Sequence, residues 1–101
     1  MTKSLPPVHP GEIIREDFLI PLAISVNQLA KSLAVDAARL NDIVRGRRGI
    51  TADTALRLAR HLGTTAEFWM KLQADYELRV ARQEKLKQIE RAVRPRDAAA
   101  A

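Results

Sequence analysis

The sequence has no cysteine, which excludes disulfides, thiol nucleophiles, zinc fingers and iron–sulfur clusters together. Aromatic residues make up only 4% of the chain, and four glycines with five prolines argue against strands and hairpins. An all-α chain is expected. No apolar run approaches the roughly 20 residues needed to span a bilayer. The start, Met1-Thr2-Lys3-Ser4-Leu5-Pro6-Pro7, has no apolar stretch of the secretory kind. A cytoplasmic protein without membrane contact is therefore expected. Catalytic signatures are missing too: there is no His-Glu-x-x-His, no glycine-rich phosphate loop and no Gly-x-Ser-x-Gly. Of the two histidines, His9 stands beside Pro10, and His61 lies close to Gly63, where a cation meets a helix dipole favourably. Glu12 and Glu16 form an exposed i, i+4 pair. Neither an enzyme nor a cofactor or metal site is expected.

What is present fits one small domain: 101 residues, 47% of them apolar and 29% charged. The net charge is +5, and its location says more than its size. Between Arg79 and Arg96 lie seven basic residues against Glu84 and Glu90, a difference equal to the whole excess. Such a tail is either a footprint for an acidic partner or a solvated helix end.

Pro6, Pro7 and Pro10 mark residues 1–8 as an extended or disordered leader. Pro10 suits a helix start, and Pro21 is expected to end that helix near Leu19 or Ile20. Ser25-Val26-Asn27-Gln28 reads as a capping box, with Val26, Leu29, Ala30 and Leu33 on one face of the second helix. After a tight turn at Ala34-Val35, Asp36 caps a third helix with Leu40, Ile43 and Val44 inward, stopped by Gly46. Thr51 caps a fourth helix (Ala55, Leu58, Ala59, Leu62 inward) that ends at Gly63. Thr64 and Glu67 suggest a further capping box, opening a fifth helix that reaches Val93 before Pro95. Asp97-Ala98-Ala99-Ala100-Ala101 is set aside from the fold.

The pair of short helices from Val26 to Arg45 has the arithmetic of a helix-turn-helix. Ala30 is the small residue at the closest crossing, Val35 the apolar residue in the turn, and Leu40 and Ile43 the buried anchors of the second helix. That geometry turns Ala37, Ala38, Arg39, Asn41, Asp42 and Arg45 outward. Arg39 has the fork to bind guanine, Asn41 the amide for adenine, and Ala37 and Ala38 the slimness to touch a thymine methyl. Arg45, Arg47 and Arg48 would position the protein on phosphates.

Val26 to Arg48 resembles the helix-turn-helix of the Xre/Cro family of repressors. The longer set His9-Pro10-Gly11-Glu12, Asn41 to Thr51, Thr54 to Ala59 and Glu67 to Gln73 resembles the HigA type of antitoxin (VapI-like), over roughly residues 8 to 82. The resemblance implies a five-helix, lambda-repressor-like domain over residues 9–82, with a basic extension over 83–101. It also implies an antitoxin that forms a homodimer, binds a small RNA-cleaving toxin of the HigB type, and represses its own operon at palindromic double-stranded operator DNA. The family often has Gln where this chain has Val26, so Ser25, Asn27 or Gln28 would take over that phosphate contact. It usually has Gly where Ala34 stands, and left-handed backbone there would cost about 1–2 kcal/mol.

Two copies on half-sites about 34 Å apart need a dimer surface. Trp69, Leu72 and Tyr76 follow a, d, a spacing with Val80 beside them, while Phe68 is assigned to closing the core. Leu86, Ile89 and Val93 make a further stripe that must fray or find a partner. Two other readings remain: a module that captures the toxin with little DNA binding, and a stand-alone regulator.

Overall fold

The computed structural model describes residues 6–96, so the first five residues of the leader and Asp97–Ala101 lie outside the described residues. Five helices and no strands occur among them. Helix α1 covers residues 10–22 in three continuous pieces: α-helical Pro10–Ile13, π-helical Ile14–Leu19 and α-helical Ile20–Leu22. The others are α2 (Val26–Leu33), α3 (Ala37–Val44), α4 (Ala52–Leu62) and α5 (Ala66–Ala92).

Pro21 does not end α1. The turn before it widens, and the Ile20 N–H donates to the Arg15 carbonyl five residues back. Pro21 brings no N–H to satisfy, and the wider turn relieves the clash a proline ring makes with the carbonyl four residues earlier. The helix stops instead at Ala23, which takes the left-handed conformation (φ 55°).

Ala34 does the same at the end of α2 (φ 57°, ψ 43°). In both places two bonds close the helix end: Ile24 N–H to Leu19 O with Ala23 N–H to Ile20 O, and Val35 N–H to Ala30 O with Ala34 N–H to Lys31 O. This is the Schellman arrangement, with alanine where glycine is usual. Ile24 and Val35 then drop against the core, and their burial helps offset the strain.

The capping box of α2 is present as expected: Ser25 N–H donates to Gln28 Oε1 at 2.8 Å and Gln28 N–H to Ser25 Oγ at 3.1 Å. Two other caps differ. Asp36 occupies the N-cap position of α3, but its carboxylate accepts no capping bond. The cap of α5 is Thr65, accepting from Phe68 N–H, which frees Thr64 Oγ1 to accept the Trp69 indole N–H at 2.7 Å.

That bond identifies the centre of the molecule. Trp69 is completely buried, with Phe18 at 5.6 Å and Phe68 at 4.9 Å between ring centroids. Around it lie Ile14, Leu29, Leu40, Ile43, Ala55 and Leu58, all essentially inaccessible. Trp69 therefore cannot face a sister chain, and the assignments of the two aromatics reverse: Trp69 closes the core, while Phe68 remains 41% exposed. A side chain with one polar atom is stable inside once that atom has a partner, and Thr64 supplies it.

Gly11 sets the approach of α1 to α3. A Cβ on it would stand 2.0 Å from the Ile43 carbonyl oxygen, so the two backbones touch. Burial along α5 ends with partly buried Ala81; from Arg82 to Arg96 every side chain is exposed. The helix thus projects past the core, which gives the molecule its long dimension of 55 Å against 31 and 22 Å.

Candidate nucleic-acid interface

Helices α2 and α3 pack on each other across residues 34–36. Ala30, Leu40 and Ile43 are buried and Val35 is partly so, as the motif arithmetic requires. On the outer side of α3 the expected base-reading residues separate. Ala38 is exposed, and Asn41 and Asp42 are half-exposed. Ala37 turns partly inward against the core.

Arg39 is not held outward. Its Nη2 donates to Thr54 Oγ1 and, at 3.3 Å, to Thr51 Oγ1, and lies 3.7 Å from Asp53 Oδ1. The guanidinium is bound to the start of α4, and the two-bond fork to guanine is not presented here. Asn41 makes only a long bond (3.4 Å) to the Ala37 carbonyl four residues back, so its amide has capacity left for another partner. The Asp42 carboxylate lies 3.8 Å from Arg47 Nη1.

Of the residues expected to touch phosphate, Asn27 is exposed at the first turn of α2. Ser25 and Gln28 are exposed too, but much of their hydrogen-bonding capacity goes to each other in the cap. Arg45, Arg47 and Arg48 are all exposed. Among the described residues, Arg45 and Arg48 have no carboxylate partner.

The arginine loop is rigidly seated from below. Gly46 takes φ 79°, and the Arg47 N–H donates to the Asp42 carbonyl at 2.8 Å. Ile50 N–H donates to the buried Gln73 Oε1 at 2.7 Å, and Gln73 Nε2 donates to Glu77 Oε2 at 2.8 Å. A Cβ on Gly49 would stand 2.8 Å from Gln73 Nε2, so a larger residue there would have to push the Gln73 carboxamide aside. Under Gly46 lies the His9 ring, edge-on to Tyr76 at 4.8 Å. His9 Nδ1 accepts the Gly11 N–H at 2.9 Å and so caps α1. Burial holds the His9 pKa below the ordinary value, against the opposing pull of the Arg48 backbone and of Glu12.

His9, Gln73, Asp53 and Arg57 do structural work that the sequence reading did not assign. Gln73 carries a faint signal: it follows buried Trp69 by four residues, a polar side chain on an apolar face. Arg57 carries none. It is an unremarkable charge on α4 whose Nη1 reaches the Leu33 and Ala34 carbonyls at 2.9 and 3.1 Å.

The site therefore presents a slim, polar helix face beside a fixed loop of arginines. Such a surface can lay α3 along the edge of a duplex and hold it through phosphates. The helix-turn-helix family HTH_3 matches residues 14–69. The virulence-associated protein I of Dichelobacter nodosus is 52% identical over 81% of this chain and 76% of its own length. The solved structure of Pseudomonas aeruginosa antitoxin HigA with the higBA promoter is 49% identical, with a TM-score of 0.86 over 90% of this chain and 99% of that one. Antitoxin GraA in complex with its operator is 41% identical, with a TM-score of 0.87 over 97% of this chain and 99% of that one.

Proposed function

The chain belongs to the helix-turn-helix family HTH_3 and, within it, to the HigA antitoxins, and from that premise we propose that it is a dimeric repressor of its own operon that also neutralises a HigB-type toxin by binding it. One observation carries the DNA half of this reading. The arginine loop is locked beside the exposed face of α3 in a chain that superimposes along its length on relatives solved on operator DNA. Such binding places its work in the cytoplasm.

In this reading Ala38, Asn41 and Asp42 face the base edges, and Asn27, Arg45, Arg47 and Arg48 carry phosphate contacts. Ser25 and Gln28 contribute whatever capacity their cap leaves them. A slim alanine at the front of α3 lets the helix approach closely, and the arginines fix its register. The protein needs a second copy because one short helix spans too few base pairs for strong selectivity. We assign the contact between copies to the half-buried Leu72, Tyr76 and Val80, with Trp69 supporting them from within. Around Leu72 and Tyr76 lies a cavity of about 210 Å³ lined also by Val8, Asp75 and Arg79, a surface able to receive an apolar side chain from a sister chain.

Co-expression with the adjacent reading frame tests the toxin half, and binding to the duplex upstream of the chain's own reading frame tests the DNA half. Rescue of growth together with co-purification is expected. A harmless neighbour that does not co-purify would leave only a stand-alone repressor. Equal binding to the upstream duplex and to a scrambled one would remove repression.

A further inference from the structure

A chain of side chains runs from the turn of the helix-turn-helix to its second helix, and Arg39 is the only residue of the outer side of α3 that it uses. At one end Arg57 Nη1 donates to the Leu33 and Ala34 carbonyls, at 2.9 and 3.1 Å. These are orphan acceptors at the end of α2, next to the strained left-handed Ala34. In the middle, Arg57 Nε donates to Asp53 Oδ1 at 2.7 Å. The same oxygen lies 3.7 Å from Arg39 Nη2. At the other end, that Nη2 is hydrogen-bonded to Thr51 and Thr54, the N-cap and first turn of α4. One carboxylate thus faces two guanidiniums, one gripping the turn and the other projecting from α3. Asp53 is held below the usual carboxylate range, by the Arg57 hydrogen bond first and the two arginine charges after it.

We infer that Arg57 and Asp53 are positioning residues for DNA recognition: they fix the tilt of α3 relative to α2, with Arg39 as the third member. The physical reason lies in what else joins the two helices. The turn is three residues long and contains a backbone conformation that costs energy, so its geometry needs an external support. Core packing restrains the buried side of α3, while among the described residues its outer edge has only the Arg39 guanidinium hydrogen-bonded to the start of α4. A guanidinium is suited to both ends, because its planar donors bind two acceptors at fixed angles. Arg39 then contributes by holding the helix that carries Ala38, Asn41 and Asp42. The inference rests on the operator-binding reading given above.

The test compares the full-length protein with Arg57→Lys, Asp53→Ala and the double variant. Each is titrated by fluorescence anisotropy against the duplex upstream of its own reading frame and against a composition-matched scrambled duplex, over a series of salt concentrations. Titrations are run at a temperature where circular dichroism gives equal helix content. Each single variant is expected to bind the upstream duplex roughly tenfold more weakly, as for loss of a charge-assisted hydrogen bond, and the scrambled duplex within about twofold. The slope of log K against log salt stays unchanged, because no phosphate contact is removed. The double variant is expected to be little worse than the weaker single one, since both cut the same chain. A generally destabilised fold would weaken both duplexes together and leave their ratio alone. Asp53 is exposed, so its variant decides the matter even if Arg57→Lys does not fold.

Three results would overturn the inference. Wild-type discrimination retained in folded variants would show that the chain of contacts does not set the helix. Equal loss on both duplexes with a flattened salt slope would make Arg57 a phosphate ligand. A wild-type protein that fails to prefer the upstream duplex would remove the operator-binding reading itself, and this inference with it.

Discussion

Gln73, in the second turn of α5, accepts the Ile50 N–H at 2.7 Å across 23 residues of chain, and it does so from a buried position directly under Gly49. This single carboxamide ties the end of the arginine loop to the helix that carries Trp69. A loop meant to meet a rigid phosphate backbone benefits from being rigid itself, because less freedom is lost on binding.

Replacing Gln73 with Leu is therefore expected to cost about 1–3 kcal/mol, the penalty for a buried N–H left without a partner. A thermal melt measures this directly. The same variant should exchange its Ile50 amide faster than its α2 amides. A variant as stable as wild type would show that water replaces the carboxamide without loss.

Ala34 gives the opposite sign. Glycine at φ 57° has no Cβ to strain, so Ala34→Gly relieves about 1–2 kcal/mol in the fold. The freer unfolded chain returns up to about 1 kcal/mol of that. A net change between about zero and a gain of about 1.5 kcal/mol is expected in chemical denaturation. A clear loss would mean that Arg57 and the Val35 side chain already hold the turn without strain.

His9 makes stability depend on pH. Its folded pKa lies below the ordinary value of about 6.5, mainly because burial disfavours the imidazolium. The neutral ring accepts the Gly11 N–H at Nδ1, and a proton there removes the acceptor that caps α1. Above about 6.5 the group is neutral in both folded and unfolded chains and the full stability is present. Below that the unfolded chain takes up the proton first, so stability falls as pH falls through the folded pKa. His9→Asn retains an N-cap acceptor and cannot titrate. Its melting temperature should decline less than that of wild type between about pH 7 and about pH 5. Parallel declines would assign the acid sensitivity to other groups.

Much of this was legible in the sequence because local signals and tertiary structure agree. The Ser25-Gln28 box, Gly46 and Gly63 at helix ends, and the Ala30, Leu40, Ile43 spacing each follow from short-range chemistry. The failures share a different origin. A proline usually ends a helix, whereas a widened turn in front of Pro21 lets this one continue. Heptad spacing puts Trp69 on a helix surface, yet spacing along one helix cannot say which neighbour covers it. Phe18 on α1 and the Thr64 hydroxyl just before α5 decide that, and neither lies on the helix whose spacing was counted. The helical wheel turns Arg39 outward, and it cannot show that α4 begins within reach of the guanidinium.

The Trp69 correction yields a test of its own. Trp69→Ala should cost about 3–5 kcal/mol, as for a large buried aromatic, and abolish two-state melting near physiological temperature. Val80→Arg, at a half-buried site near the end of the packed part of α5, should leave the melt nearly unchanged while shifting sedimentation toward monomer. An intact dimer in Val80→Arg would move the contact between copies to another surface.

The arginine loop separates positioning from selectivity. Arg45 and Arg48 are exposed, and among the described residues neither is paired with a carboxylate, so on a duplex their charges are free to displace condensed counterions. Arg47 differs, because Asp42 lies 3.8 Å from it and already satisfies part of its charge. Arg48→Ala is expected to weaken upstream and scrambled duplexes alike and to flatten the slope of log K against log salt by about 0.9 for each phosphate contact removed. Arg47→Ala should flatten it at least as much, since Asp42 is then left as an unpaired negative charge whose repulsion from the duplex is itself screened by salt. A loss confined to the upstream duplex would mean that the loop reads bases, and that the positioning role belongs to the start of α2.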